Sequence, residues 1–201
     1  LSAGKPVVTA NKHVIAHHGL ELEALARHHD VALRFEAAVA GGIPVLGPLA
    51  SDLAANDITR IRGIVNGTTN YILTAMAQEG RAYADILADA QELGYAEADP
   101  SGDVEGDDAV NKLVILARLG FDGWLDPATV ERRPPTARGR GRPGITGVTD
   151  REMEGAAALP HFPQLKLPAS EQHPADAPAR LPLAGVLVVA PPDGERSVSV
   201  R

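Results

Sequence analysis

The 201-residue chain contains no cysteine, which removes a disulfide framework, a thiolate metal site and a cysteine nucleophile together. Aromatic residues make up only 3% of it, so its core must be assembled from aliphatic side chains rather than around aromatic anchors. Positive charge is in deficit. Nineteen Lys and Arg face 26 Asp and Glu, a formal charge of −7, without the broad basic footprint of a nucleic-acid binder. No apolar run approaches the roughly twenty residues that cross a bilayer. The opening LSAGKPVVTANK has no basic segment leading into an apolar stretch, so it does not read as a signal peptide. These absences point to a cytoplasmic protein with neither membrane nor nucleic acid as partner. Its length still allows a substantial core.

What is present begins as if in mid-domain. Val7, Val8 and Thr9 form a short apolar strand after the Gly4-Lys5-Pro6 turn, 13–29 has helical composition, and 31–39 (VALRFEAAV) reads as a second strand. One βαβ unit cannot cover a parallel sheet, so preceding strands are expected and the chain reads as truncated. Gly41, Gly42 and Pro44 then break the pattern. A helix is predicted at 45–54, a half-buried strand at 58–65, a helix capped by Asn66 or a threonine and running to about 79, and another at 83–93 ending on a left-handed Gly94. An acidic loop at 95–107 leads into a helix over 107–119 with Val110, Leu113, Val114 and Ala117 on one face and Gly120 as its stop. A short helix at 149–159 and a marginal hairpin from 185–190 and 196–200 complete the reading. Half of the sixteen prolines lie at 160–201, which predicts a poorly ordered tail.

The stretch from Gly94 to Lys112 carries most of the chemistry. Asp108 and Lys112 stand one helical turn apart and project from one face. Taken alone, that is a capped helix with a surface ion pair worth a few tenths of a kcal/mol. A calcium loop counted from Asp99 fails, because its sixth position is Val104 where the turn needs glycine.

The whole string is more specific. Ala90, Gly94, Tyr95, Ala96, Asp99, Pro100, Asp103, Val104, Gly106, Asp108 and Lys112 fit A-x3-G-Y-A followed by D-P-x2-D-V-x-G-x-D-x3-K, and this closely resembles the signature of homoserine dehydrogenases. The likeness extends from about residue 3 to 159, through GKPVVTANK, FEAAVAGGIPV and NGTTNYIL. It implies an α/β protein: residues 1–40 as the end of a Rossmann-type doubly wound nucleotide domain, 41–159 as an α+β substrate and dimerisation domain, and 160–201 as a divergent tail. It further implies interconversion of aspartate 4-semialdehyde and homoserine with NAD(P)H, in threonine, methionine and isoleucine biosynthesis, by a homodimer. The alternative is a non-catalytic remnant acting as an association module.

The resemblance also distributes roles. Lys112 matches the family's proton donor and acceptor, with Lys12 and Asp108 as catalytic partners. Glu97, Asp103 and Asp108 match the carboxylates that hold and orient the substrate's ammonium. Lys12 and Gly94 match positions on the nicotinamide side, and Glu36, Val39, Gly41 and Ile43 match a structural sodium turn. The residue types suit the reaction. Hydride arriving at an aldehyde creates alkoxide character, which a lysine ammonium can stabilise and protonate. The missing cysteine sets aside the thioester-forming aldehyde dehydrogenases, which need a thiolate.

Two patterns are declined. Gly139 to Gly144 satisfies G-x-G-x-x-G, but it follows Pro134-Pro135-Thr136-Ala137-Arg138 rather than a strand. His13 and His17, four residues apart, read as a solvated helix face lacking the third ligand zinc would want.

Overall fold

The computed structural model describes residues 1–58, 61–132, 144–146, 148, 149, 153, 186–189 and 199–200. The expected βαβ unit is there. β1 (Val7–Val8) lies parallel to β2 (Leu33–Arg34), and α1 (Lys12–His28) connects them. Asn11 begins the helix by accepting the Val14 N–H at 3.1 Å, which places Lys12 in the first turn, just past the carboxyl end of β1.

β2 is much shorter than the strand expected over 31–39. Residues Glu36–Ala38 form a 3₁₀ turn instead, because the Glu36 carboxylate turns toward the backbone of 45–47. The following helix, α2, covers Leu46–Ala50 only. β3 (Ile61–Ile64) leads through Asn66 into α3 (Gly67–Glu79), and α4 (Tyr83–Glu92) follows. Gly94 has φ of +76°, the left-handed conformation expected just past that helix.

Within the acidic loop the chain makes a one-turn helix, α5 (Ser101–Val104), which the composition did not announce. Pro100 precedes it, and the Asp99 carboxylate accepts the Ser101 N–H at 3.1 Å. Hydrogen bonds from Ser101, its side chain first and its N–H second, hold the exposed Asp99 carboxyl below its ordinary value.

α6 (Asp107–Phe121) is the central pillar, and it differs from expectation in two ways. Apolar burial is not confined to one face: Asp108 to Asn111 and Leu113 to Ala117 are all buried, as suits a helix enclosed on several sides. Nor does Gly120 end it. The helix passes through Gly120, whose added Cβ would stand 2.6 Å from Ile61 Cδ1, and stops at Asp122 with φ of +56°. Gly120 therefore lies inside the helix beside the tip of the Ile61 side chain and does not terminate it.

Two cores flank the acidic segment. One joins Ile15 and Ala16 of α1, Val39, Leu46 and the apolar length of α6; the other joins Ile72, Leu73 and Met76 of α3, Ile86 and Ala90 of α4, and Val104 of α5. β4 (Glu131–Arg132), β5 (Val186–Val189) and β6 (Ser199–Val200) form with β3 a mixed sheet of order β3-β5-β6-β4. β5 and β6 are antiparallel, as the predicted hairpin required, and β5 also pairs antiparallel with β3. The residues between β5 and β6, those of 139–143, most of the helix expected at 149–159, and 160–182 lie outside the described residues. Among the described residues no helix is long and apolar enough to cross a membrane.

Candidate active site

α3, α5 and α6 all begin at one place, and a cavity of about 550 Å³ opens there. Lys112 and Asp108 form its floor, Asn66, Thr68 and Asp103 one wall, and Gly94 and Tyr95 part of the rim. Tyr71 and Tyr95 pack with ring centroids 4.9 Å apart. The chain has few aromatics, and two of its three tyrosines meet at this cavity.

Asp108 is the hub. Its residue is only 9% exposed, so the pair it forms with Lys112 is not the surface contact that spacing alone suggested. Asp108 Oδ2 accepts from Lys112 Nζ at 2.6 Å, and Oδ1 faces Lys12 Nζ at 3.0 Å. Two lysines that stand a hundred residues apart in sequence thus share one carboxylate. Burial pushes the Asp108 carboxyl up. The hydrogen bonds from Lys112, Asn66 and Lys12, with the charge of Lys112, outweigh burial and hold it below the ordinary carboxylate value. Lys112 Nζ also donates to the Val65 carbonyl, so its ammonium is gripped from two sides.

Asn66 and Thr68 are the site residues that motif reading left unassigned. Asn66 caps α3 through Oδ1, which accepts the Thr69 N–H at 2.8 Å. Its amide Nδ2 donates to Asp103 Oδ1 at 2.7 Å and to Asp108 Oδ2 at 2.9 Å. Thr68 Oγ1 reaches Asp103 Oδ2 at 3.0 Å and the Tyr95 carbonyl at 2.8 Å. The NGTTN run could have signalled them: a polar turn opening a helix beside a carboxylate-rich segment has donors to spare.

The structure thus brings together Lys12, Asp103, Asp108 and Lys112, with Gly94 at the rim. Glu97 stands apart. It is exposed, does not line the cavity, and offers its backbone carbonyl to Gln91 Nε2 at 3.0 Å.

In the expected sodium turn the Glu36 carboxylate meets backbone N–H groups. Glu36 Oε1 accepts from the Val45 and Leu46 N–H groups at 2.8 and 3.0 Å, and Oε2 from Gly47 at 2.7 Å. Three of the roughly four acceptor positions of a carboxylate are then taken by N–H donors. A carboxylate so engaged is an anionic cap for α2, with one acceptor position left over. Nearby, Val39 is buried, Ile43 is 68% exposed and Gly41 has φ of +56°. Among the described residues there is no group of three or more His, Cys, Asp or Glu side chains that could hold a metal; His13 and His17 stack with ring centroids 4.1 Å apart.

Comparison with known proteins accounts for this clustering. Residues 44–186 match the family model described as homoserine dehydrogenase, a match that runs past residue 159 into β5. The homoserine dehydrogenase of Lactococcus lactis is 52% identical over 132 residues, which are 66% of this chain and 31% of that protein. The crystal structure of a homoserine dehydrogenase from Thiobacillus denitrificans superposes with a TM-score of 0.68 at 43% identity, over 75% of this chain and 33% of that one. A hyperthermophilic archaeal homoserine dehydrogenase, solved in complex with NADPH, superposes with a TM-score of 0.57 at 39% identity, over 59% of this chain and 37% of that one. The chain spans about a third of the length of the curated relatives it matches. The α/β architecture, the acidic string and the family match over most of its length agree: this chain belongs to the homoserine dehydrogenase family.

Proposed function

We propose that this chain supplies the substrate half of an oxidoreductase that interconverts aspartate 4-semialdehyde and homoserine, working in the cytoplasm as a homodimer. The observation that carries the reading is the pair of lysines on one buried carboxylate at the floor of an open cavity. A carbonyl reductase needs a proton source beside the nascent alkoxide, held in place before substrate arrives.

Lys112 fills that role. Its Nζ is anchored by Asp108 and the Val65 carbonyl, and lines the cavity, so it can donate a proton to the alkoxide oxygen or accept one from the hydroxyl. Lys12 approaches the same carboxylate from the βαβ side and holds positive charge near the reacting oxygen. Asp103 faces the cavity from α5 and suits the substrate's ammonium. The NADPH named in the archaeal complex would supply the hydride. The residues here fit its nicotinamide end: Lys12 and the cavity lie beyond the carboxyl end of β1, where parallel sheets receive nucleotides. No glycine-rich turn after a strand stands among the described residues to take its diphosphate.

The test is Lys112→Ala in the full gene product. Loss of proton transfer should lower kcat for homoserine oxidation by about a hundredfold to ten-thousandfold, while NADPH binding followed by fluorescence stays near the wild-type level. Equal loss of both would make Lys112 a structural lysine and end the proposal.

A further inference from the structure

Asn66 performs two tasks with one side chain. Its carbonyl oxygen caps α3, while its amide nitrogen spans two carboxylates on different elements, Asp103 on α5 and Asp108 on α6. The residue is only 5% exposed, so water does not readily substitute for those hydrogen bonds. Without a donor between them, two carboxylates at one cavity wall repel, and each would swing toward the nearest cation. The amide supplies one proton to each. Asp103 is then held on the cavity side, where Thr68 Oγ1 secures its other oxygen, and Asp108 is held against Lys112.

We infer that Asn66 is a positioning residue for this reaction: its amide divides the labour of the two carboxylates, leaving Asp103 for the substrate and Asp108 for the lysines. The inference rests on the homoserine reading for its kinetic consequence, but its structural content stands without it. The charged groups facing Asp108 are Lys112 from its own helix, Lys12 from the start of α1, and Asp103 across the Asn66 amide. Asp107, its neighbour on α6, is paired instead with Arg132. Removing the amide donors therefore leaves Asp108 with its cations but brings it into direct opposition with Asp103.

Asn66→Ser and Asn66→Asp both keep an oxygen suited to capping a helix and both lose the amide donors. If Asn66 is only a cap, Asn66→Ser behaves as wild type, whereas Asn66→Asp adds a third carboxylate beside Asp103 and Asp108 and serves as the charged comparison. As a positioning residue it predicts otherwise. In the full gene product, kcat/KM for homoserine should fall roughly tenfold to a hundredfold, as expected for leaving buried partners unsatisfied. Most of the change should lie in KM for homoserine, with KM for NADPH unmoved. The Asp108 carboxyl, followed by ¹³C NMR in protein labelled at aspartate, should titrate at higher pH in both variants, and further up in Asn66→Asp. An Asp108 titration and a homoserine KM both unchanged in Asn66→Ser would overturn the inference. Absence of homoserine turnover in the wild type would sink the functional reading alone, since the Asp108 titration still decides what Asn66 does.

Discussion

Asp108 and Glu36 are both carboxylates that accept several hydrogen bonds, and they show how differently the same group can be used. Glu36 is met by three backbone N–H groups from consecutive residues, a donor set fixed by the fold and unable to exchange charge. Asp108 is met by side chains: two lysine ammonium groups and an amide, each arriving from a different element. Backbone donors make an anchor. Side-chain cations make a site, because an ammonium beside a cavity can give up a proton and a peptide N–H cannot.

The contrast is broken most strongly at the hub. Asp108→Asn should reduce kcat/KM for homoserine about a hundredfold, near 3 kcal/mol, because it leaves two lysines without their shared anion. Steady-state kinetics on the full gene product checks this, and a loss of under threefold would mean that Asp108 is no more than another anchor.

Acid sharpens the comparison. The Asp108 carboxyl lies below its ordinary value in the fold, so the stability it confers is fully present above the unfolded-state value, about pH 4, and is lost as pH falls through the lower folded value. Denaturant melts across that range should show wild type losing stability more steeply than Asp108→Asn. Parallel pH profiles would remove Asp108 from the account of acid sensitivity.

The smallest effect belongs to the anchor. Glu36→Gln keeps the shape but weakens charge-assisted bonds to three N–H groups, and should cost about 1–2 kcal/mol of stability. The Asp108 titration should stay where it was. A melt in sodium chloride against one in potassium chloride addresses the resemblance-based expectation directly: a stabilisation specific to sodium and lost in Glu36→Gln would restore a cation to that turn.

Local signals made much of this legible. Asn66 before an apolar-periodic run marks the start of α3, Gly94 marks the left-handed turn after α4, and the β1–α1–β2 unit follows from composition. The resemblance singled out Lys12 through GKPVVTANK and Asp103, Asp108 and Lys112 through the acidic string, and the fold brings these four together. What stayed hidden depends on partners far away in sequence. Asn66 sits 37 residues from Asp103 and 42 from Asp108, so its amide's second task has no local trace. Gly120 looks like a helix stop until α6 is seen to run on through it to Phe121, packed beside Ile61 of β3. α5 is a single turn containing glycine and aspartate, whose helix propensity is poor, and tertiary contact overrides that preference. The strand expected over 31–39 ends early because a carboxylate inside it is claimed by a backbone nine to eleven residues on.

The Val65 carbonyl that receives the Lys112 ammonium has a kinetic meaning beyond geometry. A lysine side chain that is free to rotate loses on the order of 2 kcal/mol of rotamer freedom when it must be ordered. Here that loss is incurred during folding, since Nζ is already held by Asp108 and by a backbone oxygen at the end of β3. Substrate meets an ammonium that has no wandering left to give up. Arginine in its place would keep the charge but could not reproduce a compact head seated between those two oxygens, so the conservative exchange should fail almost as fully as alanine.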